Sequence, residues 1–83
     1  MSNSEKIIDV INSALEKNYI NLKINKSNLD KQMKETGIDS IVVISIVTEI
    51  EEKFSIVLPD DELMSLKTPR DLLNLVEKTL SSK

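Results

Sequence analysis

The apolar residues at the start of the chain recur at the spacing of one helix face. They repeat every three to four positions with polar residues between them: Ile7, Ile8, Ile11, Ala14 and Leu15. This spacing predicts an amphipathic helix over about residues 3–18. Ser2 and Glu5 stand three residues apart, as in a capping box, and Asn18 is a suitable end.

Between residues 19 and 38 the helical spacing is lost. A few apolar residues remain at irregular intervals: Ile20, Leu22, Leu29 and Met33. We expect a long ordered loop in which these four side chains cover the core, with room for one short helical turn. A loop of this length is uncommon in a compact domain and usually has a function.

A second helix is predicted over about residues 40–54. Five apolar residues fall on one stripe and should be buried: Val43, Ile46, Val47, Ile50 and Phe54. Ile41, Val42 and Ile44 fall outside this stripe and crowd the first turns. Because β-branched residues slightly disfavour helices, helix propensity does not explain their presence.

The remaining sequence predicts one short and one long helix. Pro59 closes an extended connector, and the acidic residues that follow it begin a short helix over about residues 60–66. Thr68 and Pro69 are typical of a helix start, here of a last helix over about 69–81. Its predicted buried stripe is Leu72, Leu73, Val76 and Leu80. We therefore expect an all-α fold, a small four-helix bundle in which residues 1–83 form a single domain.

Composition excludes several kinds of chemistry. The 83 residues include no cysteine and no histidine, so disulfides, zinc fingers and histidine-assisted nucleophiles are ruled out. A domain of this size has little interior in which to shift the pKa of a carboxyl group. We expect no enzymatic activity. The chain shows neither a signal-peptide pattern nor an apolar run of about 18 residues, so we expect a cytoplasmic protein without membrane contact.

The negative charge is concentrated in the middle of the chain. The net charge is −3 overall, but residues 39–62 hold seven acidic residues and one lysine, a net charge of −6. Such a segment disfavours nucleic acid and favours a basic protein partner. An ordinary solvated helix face is the alternative interpretation.

One short motif stands out just before the second helix: Gly37-Ile38-Asp39-Ser40-Ile41. It can be interpreted as an ordinary helix start, in which glycine relaxes a turn, Asp39 caps the helix and Ser40 is its first residue. The sequence around it favours a more specific interpretation.

The motif, the helix that follows it and the segments KFSIVLPDDEL and KTPRDLLNLVEKTL resemble the acyl carrier and peptidyl carrier protein family. The resemblance implies that Ser40 is the attachment point of 4′-phosphopantetheine, transferred from coenzyme A by a phosphopantetheinyl transferase. It further implies that Asp39 is recognised by the transferase and its Mg²⁺, and that Gly37 fits the turn before the helix. The interaction of a phosphodiester with a helix N-terminus is favourable on physical grounds as well.

The resemblance also implies that the second helix docks on partner enzymes. The expected docking residues are Ile41, Val42, Ile44, Thr48, Glu51 and Glu52. Fatty-acid-type carriers usually have more acids in the first two turns, where this chain has Val42 and Ser45. Members of the family also tend to have a leucine at the position of Thr36. We therefore expect a specialised carrier with a more apolar docking surface.

Three functional hypotheses follow from the sequence. The first is an acyl carrier in fatty-acid, polyketide or related biosynthesis. The second is an aminoacyl or peptidyl carrier loaded by an adenylating enzyme, and the third is an unmodified helical interaction module. For a carrier we expect a monomer whose partners are the transferase, a loading ligase and synthases or transferases with basic docking surfaces, and no nucleic acid.

Overall fold

The computed structural model describes residues 3–82, and in this part of the chain the secondary structure is helical, without strands. Three helices are long and one is short: α1 (Asn3–Lys17), α2 (Ser40–Phe54), α3 (Asp60–Leu63) and α4 (Pro69–Ser81), with a 3₁₀ turn at Met33–Thr36. The predicted all-α fold, a small bundle of three long helices and a short one, is confirmed. Ser2 of the expected capping box lies outside the described residues.

The core lies where α1 packs against α2 and α4. Its largest fully buried side chains come from all three helices and from the connector after α2: Ile7, Ile11, Leu15, Ile46, Ile50, Leu58, Leu72 and Val76. Burial of one such side chain stabilises the fold by about 1.5–3 kcal/mol. No described helix is long and apolar enough to cross a membrane.

The buried face of α2 differs from the prediction at its edges. Val42 is only 7% exposed, whereas Val43 and Phe54 are half-buried, so the prediction that Val42 faces outward is wrong. The reason is the position of α1. Val42 shares a helix face with Ser45 and Glu49, and both of these bind the end of α1: Ser45 Oγ accepts a hydrogen bond from the Asn18 amide (2.9 Å) and Glu49 pairs with Lys17 (2.6 Å).

The long loop between α1 and α2 is held by specific hydrogen bonds. The side chain of Asn12 on α1 binds both backbone groups of Ile24, accepting from its N–H at 2.7 Å and donating to its carbonyl at 3.0 Å. The start of α4 holds the other end of the loop. The Arg70 N–H donates to the Leu29 carbonyl (3.0 Å). Leu29 and the predicted Met33 are buried, Ile20 and Leu22 are half-buried, and Ile24 adds a further buried contact.

The third helix is shorter than the expected 60–66. It ends at Leu63 because the backbone tightens there: Ser65 N–H donates to the Glu62 carbonyl (3.2 Å) and Leu66 N–H to the Leu63 carbonyl (3.3 Å), three residues back rather than four. The short helix and its tight end lie beside the N-terminal half of α2.

Candidate functional site

Gly37 turns the chain from the 3₁₀ turn into α2. Its φ is +87°, in the left-handed region, and the following Ile38 N–H donates to the Met33 carbonyl (3.0 Å). A Cβ at this position would meet no atom within 4 Å. The requirement for glycine is therefore one of backbone torsion and not of space.

Asp39 caps α2. Its Oδ1 accepts a hydrogen bond from the Val42 N–H at 3.0 Å, which satisfies one of the backbone donors that a helix N-terminus leaves without an intrahelical partner. The residue is exposed, so its other carboxylate oxygen faces solvent beside Ser40.

Ser40 is the first residue of α2 and is exposed. Within residues 3–82 its hydroxyl takes part in no hydrogen bond, and neither do the N–H groups of Ser40 and Ile41. Two unused backbone donors and the positive end of the helix dipole thus lie beside a free hydroxyl. This is a favourable place for a phosphodiester.

The chain cannot activate the Ser40 hydroxyl by itself in the usual way, because it contains no histidine. Nor does the described part of the chain bring together three or more carboxylates that could hold a metal ion.

A groove of about 500 Å³ begins at Ser40 and runs between α2 and α3. Most of its lining is apolar and comes from both helices and the turn after α3: Val43, Ile44, Val47, Leu63, Met64 and Leu66. Asp60 and Glu51 also line it. A group attached to Ser40 has this groove as the adjacent place to bury an apolar chain.

The predicted docking residues fall into two sets. Ile41 (74%) and Ile44 (65%) are exposed, as are Thr48 and Glu52. Val42 is buried against α1 and cannot contact a partner in this conformation, so its assignment to the docking surface is corrected.

Glu51 has a structural task in addition to its predicted role. Its Oε2 accepts a hydrogen bond from the Leu58 N–H (2.8 Å), and its backbone carbonyl accepts the Ile56 N–H (3.2 Å). Glu51 therefore holds the connector after α2 in place, and its carboxylate is only partly available to a partner.

The acidic segment is less free than its net charge suggests. Of its seven acids, Asp39 caps α2, Glu49 pairs with Lys17, Glu51 holds the connector and Glu62 pairs with Lys78 at 3.3 Å. The pKa of Lys17 is raised by its hydrogen bond to Glu49. The other three acids, Glu52, Asp60 and Asp61, are exposed and form no ion pair among the described residues.

Sequence reasoning missed two residues of the groove, Met64 and Asp60. Met64 is 90% exposed at the edge of the groove. The predicted helix over about residues 60–66 included it, but α3 ends one residue before it. The acidic run after Pro59 indicated a helix start, but no local pattern indicates which face of α2 that helix approaches.

An exposed serine at the N-terminus of α2, next to an apolar groove, is a geometry that can accommodate a covalently attached group. Comparison with known proteins agrees. Residues 6–76 match the family model described as the phosphopantetheine attachment site. An acyl carrier protein homolog of Ureaplasma parvum is 36% identical over 77 residues, which cover 93% of this chain and 97% of that protein. One from Mycoplasma genitalium is 32% identical and covers all of this chain and 98% of that protein.

Solved structures share the fold. The acetyl form of the actinorhodin acyl carrier protein from Streptomyces coelicolor superposes with a TM-score of 0.77 at 20% identity, covering 95% of this chain and 91% of that one. The chain belongs to the acyl carrier family, whose members carry 4′-phosphopantetheine covalently and are not themselves catalysts.

Proposed function

We propose that Ser40 is the residue to which 4′-phosphopantetheine is attached, and that this chain presents acyl groups to partner enzymes. The observation that carries the proposal is the exposed Ser40 hydroxyl beside the Asp39 carboxylate and two unused N–H groups at the start of α2. Once attached, the group supplies the thiol that a chain without cysteine lacks, and on that thiol acyl groups are held as thioesters.

Coenzyme A supplies both the group that is transferred in the attachment step and the leaving group. The Ser40 Oγ forms a bond to the phosphorus of the pantetheine phosphate, and 3′,5′-adenosine bisphosphate leaves with the electron pair of the broken P–O bond. The hydroxyl proton passes to a base on the transferase, since the chain has no histidine to accept it. Asp39 would be the acid recognised by the transferase and its Mg²⁺, which would stabilise the charge on the phosphate.

The groove supports an acyl cargo. It is mostly apolar and lies next to Ser40, and the burial of each CH₂ group of a bound chain is worth about 0.8 kcal/mol. Both fatty-acid and polyketide intermediates fit this description. The aminoacyl or peptidyl alternative retains one supporting observation, the absence of acids from the first turn of α2.

We propose that partner enzymes dock beside Ser40 on an outer face of α2 that has an apolar centre and an acidic far end. Ile41, Ile44 and Thr48 form the centre, and Glu52 and the partly available Glu51 the far end. This arrangement fits the transferase, a loading ligase and synthases with basic surfaces. A cytoplasmic location and a monomeric state remain predictions from the sequence.

Intact-mass spectrometry tests the attachment. The chain is incubated with coenzyme A, Mg²⁺ and a phosphopantetheinyl transferase of broad specificity. We expect the mass to increase by one phosphopantetheine in the wild-type chain and in Ser45→Ala, a control serine on the same helix. We expect no increase in Ser40→Ala.

Two results would count against the proposal. A wild-type chain that gains no mass would support an unmodified interaction module instead. A Ser40→Ala variant that still gains the mass would place the attachment on another residue.

A further inference from the structure

Tyr19 is an unusual residue for its position. Its side chain is 96% exposed, and its φ is +60°, in the left-handed region that residues with a Cβ rarely adopt. A large aromatic side chain that contacts almost nothing in its own chain contributes little to folding.

The backbone geometry shows why the strain is there. Tyr19 N–H donates to the Glu16 carbonyl (3.1 Å) and Ile20 N–H to the Leu15 carbonyl (2.9 Å), which is the hydrogen-bond pattern of a Schellman motif at the end of α1. The residue in the position of Tyr19 is usually glycine. Folding alone would favour glycine here, so the tyrosine calls for another explanation.

Tyr19 lies at the same end of the bundle as Ser40. The preceding residue, Asn18, donates to Ser45 Oγ at 2.9 Å. Ser45 is only five residues after Ser40, about 7.5 Å along the helix axis, and Ile41 lies on the same side of α2 one turn before Ser45. The end of α1 therefore lies toward the N-terminal half of α2, one turn from the exposed Ile41.

The two edges of the surface around Ser40 differ in charge. On the α1 edge, the nearest acid of α2 is Glu49, which is neutralised by Lys17 at 2.6 Å. On the α3 edge, Asp60 and Asp61 are exposed and have no ion pair among the described residues. An enzyme that reaches Ser40 thus meets an exposed tyrosine and a paired lysine and glutamate on one edge, and unpaired acids on the opposite edge.

We propose that Tyr19, together with Ile41, forms an apolar anchor for the phosphopantetheinyl transferase. The inference rests on the proposed attachment at Ser40. A stable protein interface covers about 800 Å² on each partner, a patch roughly 30 Å across. Such a patch is wide compared with the rise of about 7.5 Å along α2 from Ser40 to Ser45, beside which α1 ends. Exposed tyrosines are enriched among residues that dominate binding. The transferase surface that fits is apolar opposite Tyr19 and basic opposite α3 and the far end of α2.

The Tyr19→Gly variant separates a role in docking from a role in folding. We measure kcat/KM for modification of Ser40 by intact mass, with coenzyme A and the transferase, and the melting temperature of each variant. Tyr19→Gly should lower kcat/KM about tenfold, mainly through KM. It should also raise the melting temperature by about 4 °C, because glycine relieves the left-handed backbone.

Three further variants complete the test. Tyr19→Phe should retain most of the wild-type rate, and Tyr19→Asn, which tolerates the left-handed region, should lose it as Tyr19→Gly does. Val57→Ser alters an exposed apolar residue after the far end of α2 and should leave kcat/KM unchanged.

The outcomes distinguish this inference from the function on which it rests. If the wild-type chain is modified and Tyr19→Gly is modified at the same kcat/KM, the anchor is refuted and the attachment at Ser40 stands. An equal loss in Val57→Ser would also refute it. If the wild-type chain is not modified at all, the proposed attachment itself fails.

Discussion

Helices α2 and α4 are of similar length but divide their residues differently. In α4 the exposed positions are polar, among them Arg70, Asn74 and Lys78, and the leucines and Val76 face the core. In α2 two isoleucines, Ile41 and Ile44, are exposed on the outer face. Folding accounts for the whole pattern of α4 but leaves the outer face of α2 unexplained, so that face is best understood through the partners it meets.

The N-termini of the two helices show the same contrast. In α4 the protein itself satisfies the first donors: Thr68 and Asp71 form a reciprocal capping box, and the Arg70 N–H binds the Leu29 carbonyl. In α2 the residue three after the cap is the apolar Val42, so no capping box closes. The N–H groups of Ser40 and Ile41 also have no acceptor among the described residues, so they remain available for an anion beside them.

The largest expected effect is the loss of stability when a buried residue of α2, but not an exposed one, is replaced by alanine. Ile46 is 1% exposed and Ile44 65% exposed, so Ile46→Ala should lower the free energy of unfolding by about 2–5 kcal/mol, whereas Ile44→Ala should change it by less than about 0.5 kcal/mol. Urea denaturation of both variants measures the difference. Equal losses would mean that Ile44 belongs to the core, and the contrast with α4 would disappear.

An intermediate effect is expected at the cap of α2. Asparagine and aspartate are equally good N-cap residues, so Asp39→Asn should leave the midpoint of urea denaturation nearly unchanged. Removing the carboxylate should slow modification of Ser40 by about 10- to 100-fold, as loss of a group that supports a metal site commonly does. The rate of mass gain with coenzyme A and the transferase gives the measurement. If Asp39→Asn is modified at the wild-type rate, Asp39 only caps its helix, as Thr68 caps α4, and has no role in the modification.

The smallest effect is expected at the ion pair that joins the loop to α4. The hydrogen bond from Arg70 Nε to Asp30 Oδ1 (2.7 Å) holds the pKa of Asp30 below its usual range. Because the folded pKa is depressed, the pair contributes stability above the unfolded pKa of about 3.9 and loses it as the pH falls through the folded value.

The contribution of this pair is small because both side chains are exposed. Unfolding of the wild type and Asp30→Asn across pH 2–7 should show a slight difference at neutral pH that vanishes in acid. A difference that grows as the pH falls would contradict the assignment.

Local patterns predicted most of the fold and part of the site. The amphipathic stripes and the Thr68–Pro69 start indicated the long helices, and the motif identified Ser40 correctly as the first residue of α2. The error at Val42 arose because the first turns of α2 are apolar on nearly every side, so periodicity alone could not choose the face that meets α1. The hydrogen bonds between Asn12 and Ile24 are tertiary contacts, and the strain at Tyr19 is a matter of backbone torsion. Neither produces a local sequence pattern.

The most direct test of the central claim is the mass of the peptide that contains Ser40, taken from the protein isolated from its native host. We predict a phosphopantetheine on Ser40, which in part of the population bears an acyl group as a thioester that hydroxylamine releases. A Ser40 peptide that is unmodified throughout the population would contradict the attachment at Ser40, and an aminoacyl group on the same arm would favour the peptidyl-carrier alternative.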